Sequence, residues 1–153
     1  MTSILFLCHG NICRSPMAEF VMKEQLHRAG LSEAVHVESA ALHTDEIGSD
    51  THYGTKGILD QCDIPYSPRA ARLAKKSDYE KFDYLVGMDE YNRRDMMRLW
   101  GNDPEGKCSL LMDWTGISRD VADPWYTGDF QVTYNDVDAG CLALLEHLKR
   151  SVR

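Results

Sequence analysis

The sequence lacks a hydrophobic run that could cross a membrane, since no stretch approaches the roughly 18 apolar residues that a spanning helix needs. Its N-terminus has no charged region followed by a long apolar segment, so we expect no secretory signal. Positive charge is also scarce: 17 Lys and Arg stand against 24 Asp and Glu, which leaves a net charge of −7. This balance argues against nucleic acid as a partner, because general nucleic-acid binding needs a basic face.

Cysteines are few, odd in number and scattered along the chain: Cys8, Cys13, Cys62, Cys108 and Cys141. A disulfide framework uses an even and more closely spaced set, so we predict a reducing compartment, the cytoplasm. The six histidines show no spacing typical of metal ligands, so we predict no metal site. We also predict no cofactor.

Strand-like and helix-like segments alternate along the 153 residues, a length that fits one domain over 1–153. We predict strands at 3–7, 35–39, 84–88 and 107–112, and helices at 16–29, 53–61, 89–100 and 134–150. A short helix is predicted at 70–76 or at 78–81, and loops at 43–51 and 116–130. Ser15 is predicted to cap the first helix. The alternation predicts an α/β fold, a doubly wound, four-stranded parallel sheet with helices on both faces.

Several polar side chains follow the predicted strands. Cys8, Ser39 and Asp89 come after the first, second and third strands, and Asp123 lies in the loop after the fourth. Ligands of such sheets bind at the carboxyl ends of the strands, so we predict one site at this edge.

The segment Cys8-His9-Gly10-Asn11-Ile12-Cys13-Arg14-Ser15 joins the first strand to the first helix. Backbone N–H groups converge in such a loop, and the helix dipole adds positive charge, so the segment predicts an anion site. Arg14 supplies a planar, permanently charged fork that suits a phosphate group. Cys8 stands at the mouth of this site, where a thiol should ionise easily and act as a nucleophile toward phosphorus.

A second motif, Asp123-Pro124-Trp125-Tyr126, precedes the last predicted helix. Cleavage of a phosphate ester needs a proton on the leaving oxygen, and the carboxyl group of Asp123 can supply it. Pro124 keeps Asp123 out of the helical conformation, and the two aromatic rings can contact an aryl group. A solvated turn is the alternative interpretation of this motif.

The spacing of a Cys, five residues, an Arg and a Ser is the loop pattern of cysteine-dependent phosphatases. The five residues between the Cys and the Arg, together with the Asp-Pro-aromatic motif, resemble the low-molecular-weight protein tyrosine phosphatase family. The resemblance covers nearly the whole chain. The resemblance implies a flavodoxin-like strand order, with the phosphatase loop after strand 1. It also implies hydrolysis of phosphotyrosine in proteins through a cysteinyl-phosphate. Cys8 would be the nucleophile, Arg14 the phosphate-binding arginine and Asp123 the general acid.

The same resemblance assigns supporting roles. Asn11 would hold the strained loop, Ser15 would stabilise the Cys8 thiolate, and Ser39 would support Asn11. The phosphate would be bound by the loop residues His9, Gly10, Asn11, Ile12, Cys13, Arg14 and Ser15, and the substrate slot would be formed by Ile12, Asp45, Trp125 and Tyr126. Cys13 is close enough in sequence to approach disulfide distance from Cys8, which predicts a redox role; the alternative is a small packing residue.

Two positions depart from the family pattern. Asp45 stands where some members have an aromatic or aliphatic wall, so the slot would be open on one side or favour basic residues. Some members also have a histidine that supports the loop, but this chain has Tyr66-Ser67-Pro68 near that place. The basic cluster that follows, Arg69, Arg72, Lys75 and Lys76, is interpreted as a solvated face, with a docking site as the alternative.

Three alternatives remain open. A protein arginine phosphatase of the same family would have Thr in place of Ile12. An arsenate reductase needs a further pair of cysteines near the third strand, and residues 70–100 contain none. A phosphate-dependent binding module would need neither a reactive Cys8 nor Asp123. The sequence leaves the oligomeric state open, and a monomer is the expectation.

Overall fold

A central parallel sheet organises the computed structural model, which describes residues 1–151. Its strands are β1 (Thr2–Cys8), β2 (Val35–Ala41), β3 (Tyr84–Gly87) and β4 (Cys108–Leu110). They pair in the order β2-β1-β3-β4, and every pairing is parallel. This arrangement confirms the predicted sheet and its strand order.

Four helices lie between the strands: α1 (Arg14–Arg28), α2 (Tyr53–Gln61), α3 (Asp78–Lys81) and α4 (Glu90–Leu99). Two more, α5 (Pro124–Thr127) and α6 (Phe130–Ser151), follow β4. The predicted helix at 53–61 and the second of the two short-helix alternatives, 78–81, are confirmed. Within residues 1–151 no helix is long and apolar enough to cross a membrane.

Side chains of β1 alternate between the two faces of the sheet, as the pleat of a strand requires. Ile4 and Phe6 join the hydrophobic core beneath α1 and α6. Leu5 and Leu7 join the core on the other face, together with residues of α3 and α4. The sheet is therefore covered on both sides, and the loops at the carboxyl ends of its strands are left to form a site.

Three predicted details are wrong. Ser15 does not cap α1, because the helix begins at Arg14 and the Ser15 hydroxyl faces the loop. The fourth strand is shorter than 107–112, since the chain turns into a 3₁₀ helix, Leu111–Thr115. The predicted loop at 116–130 contains α5, and α6 starts at Phe130 rather than at residue 134. Pro124 favours α5 because its fixed φ suits the first turn of a helix.

Candidate active site

The loop between β1 and α1 wraps around the Cys8 thiol. Asn11 has a φ of +58°, a left-handed conformation that Asn tolerates better than most side chains. This turn aims the Asn11 backbone N–H at Cys8, with 3.3 Å between N and Sγ. The Ser15 hydroxyl lies 3.0 Å from the same sulfur. A negative charge on Cys8 would therefore meet two hydrogen-bond donors.

A chain of hydrogen bonds behind the loop fixes the direction of the Ser15 hydroxyl. The Asn11 amide nitrogen donates to Ser15 Oγ at 2.8 Å and to Ser39 Oγ at 2.9 Å. Ser39 in turn donates to Glu19 Oε1 at 2.6 Å. Because Ser15 accepts from Asn11, its own hydrogen is available to Cys8. Asn11, Ser15 and Ser39 are buried beneath the loop, so they act on the site from behind.

Arg69, directly after Tyr66-Ser67-Pro68 in the sequence, supports the loop through Asn11. Its guanidinium donates to the backbone oxygen of Asn11 at 2.9 Å and also to Asn11 Oδ1. The backbone N–H of Arg72 donates to the same Oδ1 at 3.3 Å. These donors require the amide oxygen to face them, which turns the amide nitrogen toward the two serines. Burial lowers the pKa of Arg69 below its usual value, against the opposing effects of Glu19, Cys8 and Asp50.

The solvated-face interpretation of the basic cluster is therefore wrong for Arg69 and also for Arg72, whose guanidinium bridges Glu38 and Asp78. Lys75 and Lys76 are exposed, as predicted. Sequence analysis missed Arg69 because 58 residues separate it from Asn11. The only signal was its position directly after Tyr66-Ser67-Pro68, the segment that stands near the place where some family members have a supporting histidine.

Arg14 is held in place by three acceptors although its side chain is only 3% exposed. It donates to Asp89 Oδ2 at 2.8 Å, to the backbone oxygen of Val121 at 3.0 Å and to Asp123 Oδ2 at 3.3 Å. Burial acts to lower the pKa of Arg14, but the charges of Cys8, Asp123 and Asp89 raise it above its usual value. The guanidinium is thus a fixed cation at the floor of the site.

Asp89 links this cation to helix α4. Its Oδ1 accepts a hydrogen bond from Asn92 N at 2.8 Å and so caps the helix, which leaves Oδ2 for Arg14. The Asn92 side chain accepts from Met88 N at 2.9 Å in return. Sequence analysis placed Asp89 at the edge of the sheet but missed its contact with Arg14. The spacing Asp-x-x-Asn was the available signal for the cap.

Asp123 stands opposite Cys8 at the start of α5. Its φ of −85° and ψ of 113° are extended, as expected for a residue before proline. Its Oδ1 accepts from Trp125 N at 3.0 Å, and its Oδ2 faces Arg14. One carboxylate oxygen is thus used by the helix, and the other points into the site.

A cleft of about 750 Å³ opens above the loop, and its walls include most of the residues that the sequence predicted, namely Cys8, His9, Gly10, Ile12, Cys13, Arg14, Asp45, Asp123, Trp125 and Tyr126. Trp125 and Tyr126 are 67% and 85% exposed, so they form an outer wall rather than a buried pocket. Asp45 lies at the mouth, 2.6 Å from His9 Nε2, and this hydrogen bond lowers the pKa of Asp45. The His9 ring stacks on His43, with 4.1 Å between centroids.

Cys13 also lines the cleft, but its side chain is buried. Burial, followed by the negative charges of Cys8 and Asp123, raises the pKa of Cys13 to about 12. Cys13 is therefore a neutral thiol in the loop that surrounds Cys8. Across residues 1–151, no three His, Cys, Asp or Glu side chains gather closely enough to hold a metal ion.

Comparisons with known proteins show which family this chain belongs to. The low molecular weight phosphotyrosine protein phosphatase model matches residues 3–153. The low molecular weight protein-tyrosine-phosphatase YfkJ of Bacillus subtilis is 34% identical over 98% of this chain and 97% of its own length, and PtpA of Staphylococcus epidermidis is 33% identical over 97% and 94%.

Solved structures give the same result. The alignment with the crystal structure of YfkJ covers 100% of this chain and 98% of the YfkJ chain, with a TM-score of 0.96 at 34% identity. The low molecular weight protein tyrosine phosphatase of Streptococcus pyogenes gives a TM-score of 0.87 at 38% identity, covering 97% of this chain and 93% of its own. The chain therefore belongs to the low molecular weight phosphotyrosine protein phosphatase family.

Proposed function

We propose that this protein hydrolyses phosphotyrosine in protein substrates, with Cys8 as the nucleophile. One observation carries the proposal: the Cys8 sulfur lies between two fixed donors, the Asn11 N–H and the Ser15 hydroxyl, beside the Arg14 fork and Asp123. A thiolate, a phosphate-binding cation and a proton donor are the groups that the reaction needs. The full-length match to protein-tyrosine-phosphatases supports the same substrate.

In the first step, the Cys8 thiolate attacks phosphorus in line with the ester oxygen. The S–P bond forms as the P–O bond to the tyrosine breaks, and Asp123 gives its proton to the departing phenolate. Arg14 and the loop N–H groups contact the equatorial oxygens, where the charge lies in the transition state. Tyrosine leaves, and Cys8 carries a phosphoryl group.

In the second step, water attacks the cysteinyl-phosphate. The Asp123 carboxylate takes a proton from this water, the S–P bond breaks, and the Cys8 thiolate is restored. Inorganic phosphate leaves. Each turnover returns Asp123 and Cys8 to their starting protonation states.

The shape of the cleft favours an aryl phosphate. Ile12 lies on one side, and Trp125 and Tyr126 stand at the rim above Cys8. We infer that the backbone of the substrate rests on this rim, so that the longer phosphotyrosine reaches the sulfur and phosphoserine does not. Ile12 in place of Thr favours phosphotyrosine over phosphoarginine.

Matched peptides that carry phosphotyrosine, phosphoserine or phosphoarginine test this proposal. Wild type should prefer phosphotyrosine in kcat/KM, and Cys8→Ser should lose hydrolysis while it still binds phosphate. Cys62→Ser, at a partly exposed cysteine outside the cleft, is the control and should retain activity. Hydrolysis by Cys8→Ser within tenfold of wild type would contradict the role of Cys8, and a preference for phosphoarginine would contradict the substrate.

We further propose that Cys13 protects Cys8 from irreversible oxidation. Hydrogen peroxide would convert the Cys8 thiolate to a sulfenic acid, and the Cys13 thiol would then displace water to form a disulfide. The neutral sulfenic acid removes the Cys8 charge that helps to raise the pKa of Cys13, so Cys13 becomes easier to ionise at that moment. Both cysteines are free in the structure, and a reducing cytoplasm would keep them so.

A further inference from the structure

The cleft above Cys8 extends beyond the phosphate site and along helix α4. Tyr91, Arg94, Asp95 and Arg98 line this extension. Their spacing of three, four and seven residues places them on one face of the helix. A phosphotyrosine side chain bound at Arg14 would leave this face free for neighbouring parts of the substrate.

Arg94 stands out on this face because its charge is not neutralised. It is exposed, and its Cζ lies 5.5 Å from the centre of the Tyr91 ring. No carboxylate within residues 1–151 forms an ion pair with it. Its neighbour Arg93 differs, since it contacts both Glu90 and Asp113 and does not line the cleft.

Arg98 adds a second, weakly paired cation. Its NH1 group lies 3.5 Å from Asp95 Oδ1, and its side chain is 78% exposed. Asp95 also accepts from His43 Nε2 at 2.7 Å, so its charge is shared between two partners. The α4 face therefore carries more positive than negative charge.

The cleft also contains acidic side chains outside α4. Asp45 and Glu46, on the segment after β2, line it. Arg94 and Arg98 are the cationic side chains that α4 contributes to the cleft. In a protein of net charge −7, the α4 face is a local site where an anion is attracted outside the phosphate loop.

We propose that Arg94, together with Tyr91 and Arg98, forms a second anion subsite for an acidic group on a substrate residue near the phosphotyrosine. The group is a carboxylate or a second phosphate, both of which a guanidinium binds well. The inference rests on the proposed function, because it describes how the same cleft selects its substrates. Aspartate, glutamate or a further phosphorylated residue close to the phosphotyrosine would satisfy it.

A peptide panel separates the possible anions. One peptide has only neutral residues around phosphotyrosine, a second set has one glutamate at each position from three before to three after, and a third set has a second phosphotyrosine at those positions. Each is tested for kcat/KM with wild type, Arg94→Gln, Arg94→Glu and the matched control Arg93→Gln. Melting temperatures establish that every variant is folded.

Wild type should prefer one or more acidic peptides over the neutral one, and Arg94→Gln should reduce that preference by roughly two- to fivefold, the range of an exposed ion pair. Arg94→Glu should reverse it, while Arg93→Gln should leave it unchanged. A larger effect with the doubly phosphorylated peptides than with glutamate would identify phosphate as the better ligand.

Two outcomes would overturn the subsite: no acidic preference in wild type, or equal losses with Arg94→Gln and Arg93→Gln. Hydrolysis of the neutral peptide by wild type tests the proposed function separately from the subsite. If that reaction is absent, the proposed function fails, whereas its presence without acidic selectivity rejects the subsite alone.

Discussion

Asn11 combines a backbone and a side-chain requirement in one residue. Glycine would accept a φ of +58° at lower cost but would remove the amide that joins Ser15 and Ser39 to Arg69. Most other side chains would be strained there. At this scale the contact between Arg69 and Asn11 controls which way the amide points, and through it the hydrogen of Ser15.

Replacing Arg69 should therefore change the reactivity of Cys8 without touching the substrate. We expect Arg69→Met to slow alkylation of Cys8 by roughly three- to tenfold, the value of one lost hydrogen bond, and to lower kcat/KM by a similar factor. Arg69→Lys should restore part of the effect. Iodoacetate labelling at one fixed pH, with peptide mapping, measures the alkylation rate.

Arg72→Met is the matched control, because the Arg72 guanidinium contacts Glu38 and Asp78 while only its backbone N–H contacts Asn11. Arg72→Met should leave the rate of Cys8 labelling unchanged. Equal losses of rate in both variants would mean that Arg69 acts through general stability or charge, and an unchanged rate in Arg69→Met would remove its positioning role.

The raised pKa of Cys13, about 12, gives a prediction for oxidation. A thiol whose pKa is raised is protonated at all pH values below that pKa, so at pH 8 Cys13 should resist both alkylation and peroxide while Cys8 reacts. Peroxide should inactivate wild type reversibly, with recovery in dithiothreitol. Cys13→Ser should recover much less, because nothing captures the Cys8 sulfenic acid.

Mass spectrometry of the oxidised protein provides the direct measurement, a peptide that contains a Cys8–Cys13 disulfide. Cys62→Ser, outside the cleft, should behave like wild type. Full recovery of Cys13→Ser, with no such peptide in wild type, would reduce Cys13 to a packing residue.

At the scale of elements, the short helix α5 holds Asp123 in position. The Oδ1 atom of Asp123 caps the helix by accepting a hydrogen bond from Trp125 N, and Pro124 occupies the first turn. Asparagine caps a helix about as well as aspartate, so Asp123→Asn keeps this contact. It removes the acid and also the carboxylate oxygen that accepts from Arg14, whose contacts with Asp89 and Val121 remain.

We expect Asp123→Asn to remain folded, as its melting temperature will verify, and to lose about 10²–10⁴-fold in hydrolysis of phenyl phosphate, the usual contribution of a general acid. An ester whose leaving group needs no proton should be affected far less. The dependence of the hydrolysis rate on the acidity of the leaving group, compared between wild type and Asp123→Asn, measures this difference. Equal losses on both esters would contradict the assignment, and Asp123→Ala serves as the variant that loses the cap as well.

Most elements could be predicted from the sequence because local patterns determine them: the strand before Cys8, the helix over 53–61 and the closing helix all follow from periodicity. The errors have a common cause. Ser15 is a good capping residue by type, but its partners Cys8 and Asn11 lie in the loop, so tertiary contacts decide its role. The 3₁₀ helix after β4 has the apolar composition of a strand.

At the scale of the whole molecule, the parallel sheet brings distant segments to one edge. Arg14 contacts Asp89 and Val121, which lie 75 and 107 residues away in sequence. Periodicity predicts the sheet, and the sheet predicts that these segments meet, but no local pattern specifies which pairs bond. The site is therefore assembled only when β1, β3 and the segment before α5 are all in place.

Binding at this site should consequently stabilise the entire fold. Inorganic phosphate, the expected product, would bind the folded loop and not the unfolded chain, so at a concentration of 100 times its Kd it adds about 2.7 kcal/mol. For a domain of about 150 residues, each kcal/mol corresponds to roughly 2–4 °C, so the melting temperature should rise by about 5–10 °C. Differential scanning fluorimetry over a phosphate series measures this shift.

Arg14→Met should abolish the shift because it removes the buried fork, whereas Arg28→Met, at an exposed arginine at the end of α1, should show the wild-type shift. An equal shift in both variants would mean that phosphate acts as a general salting-out anion and does not bind the loop.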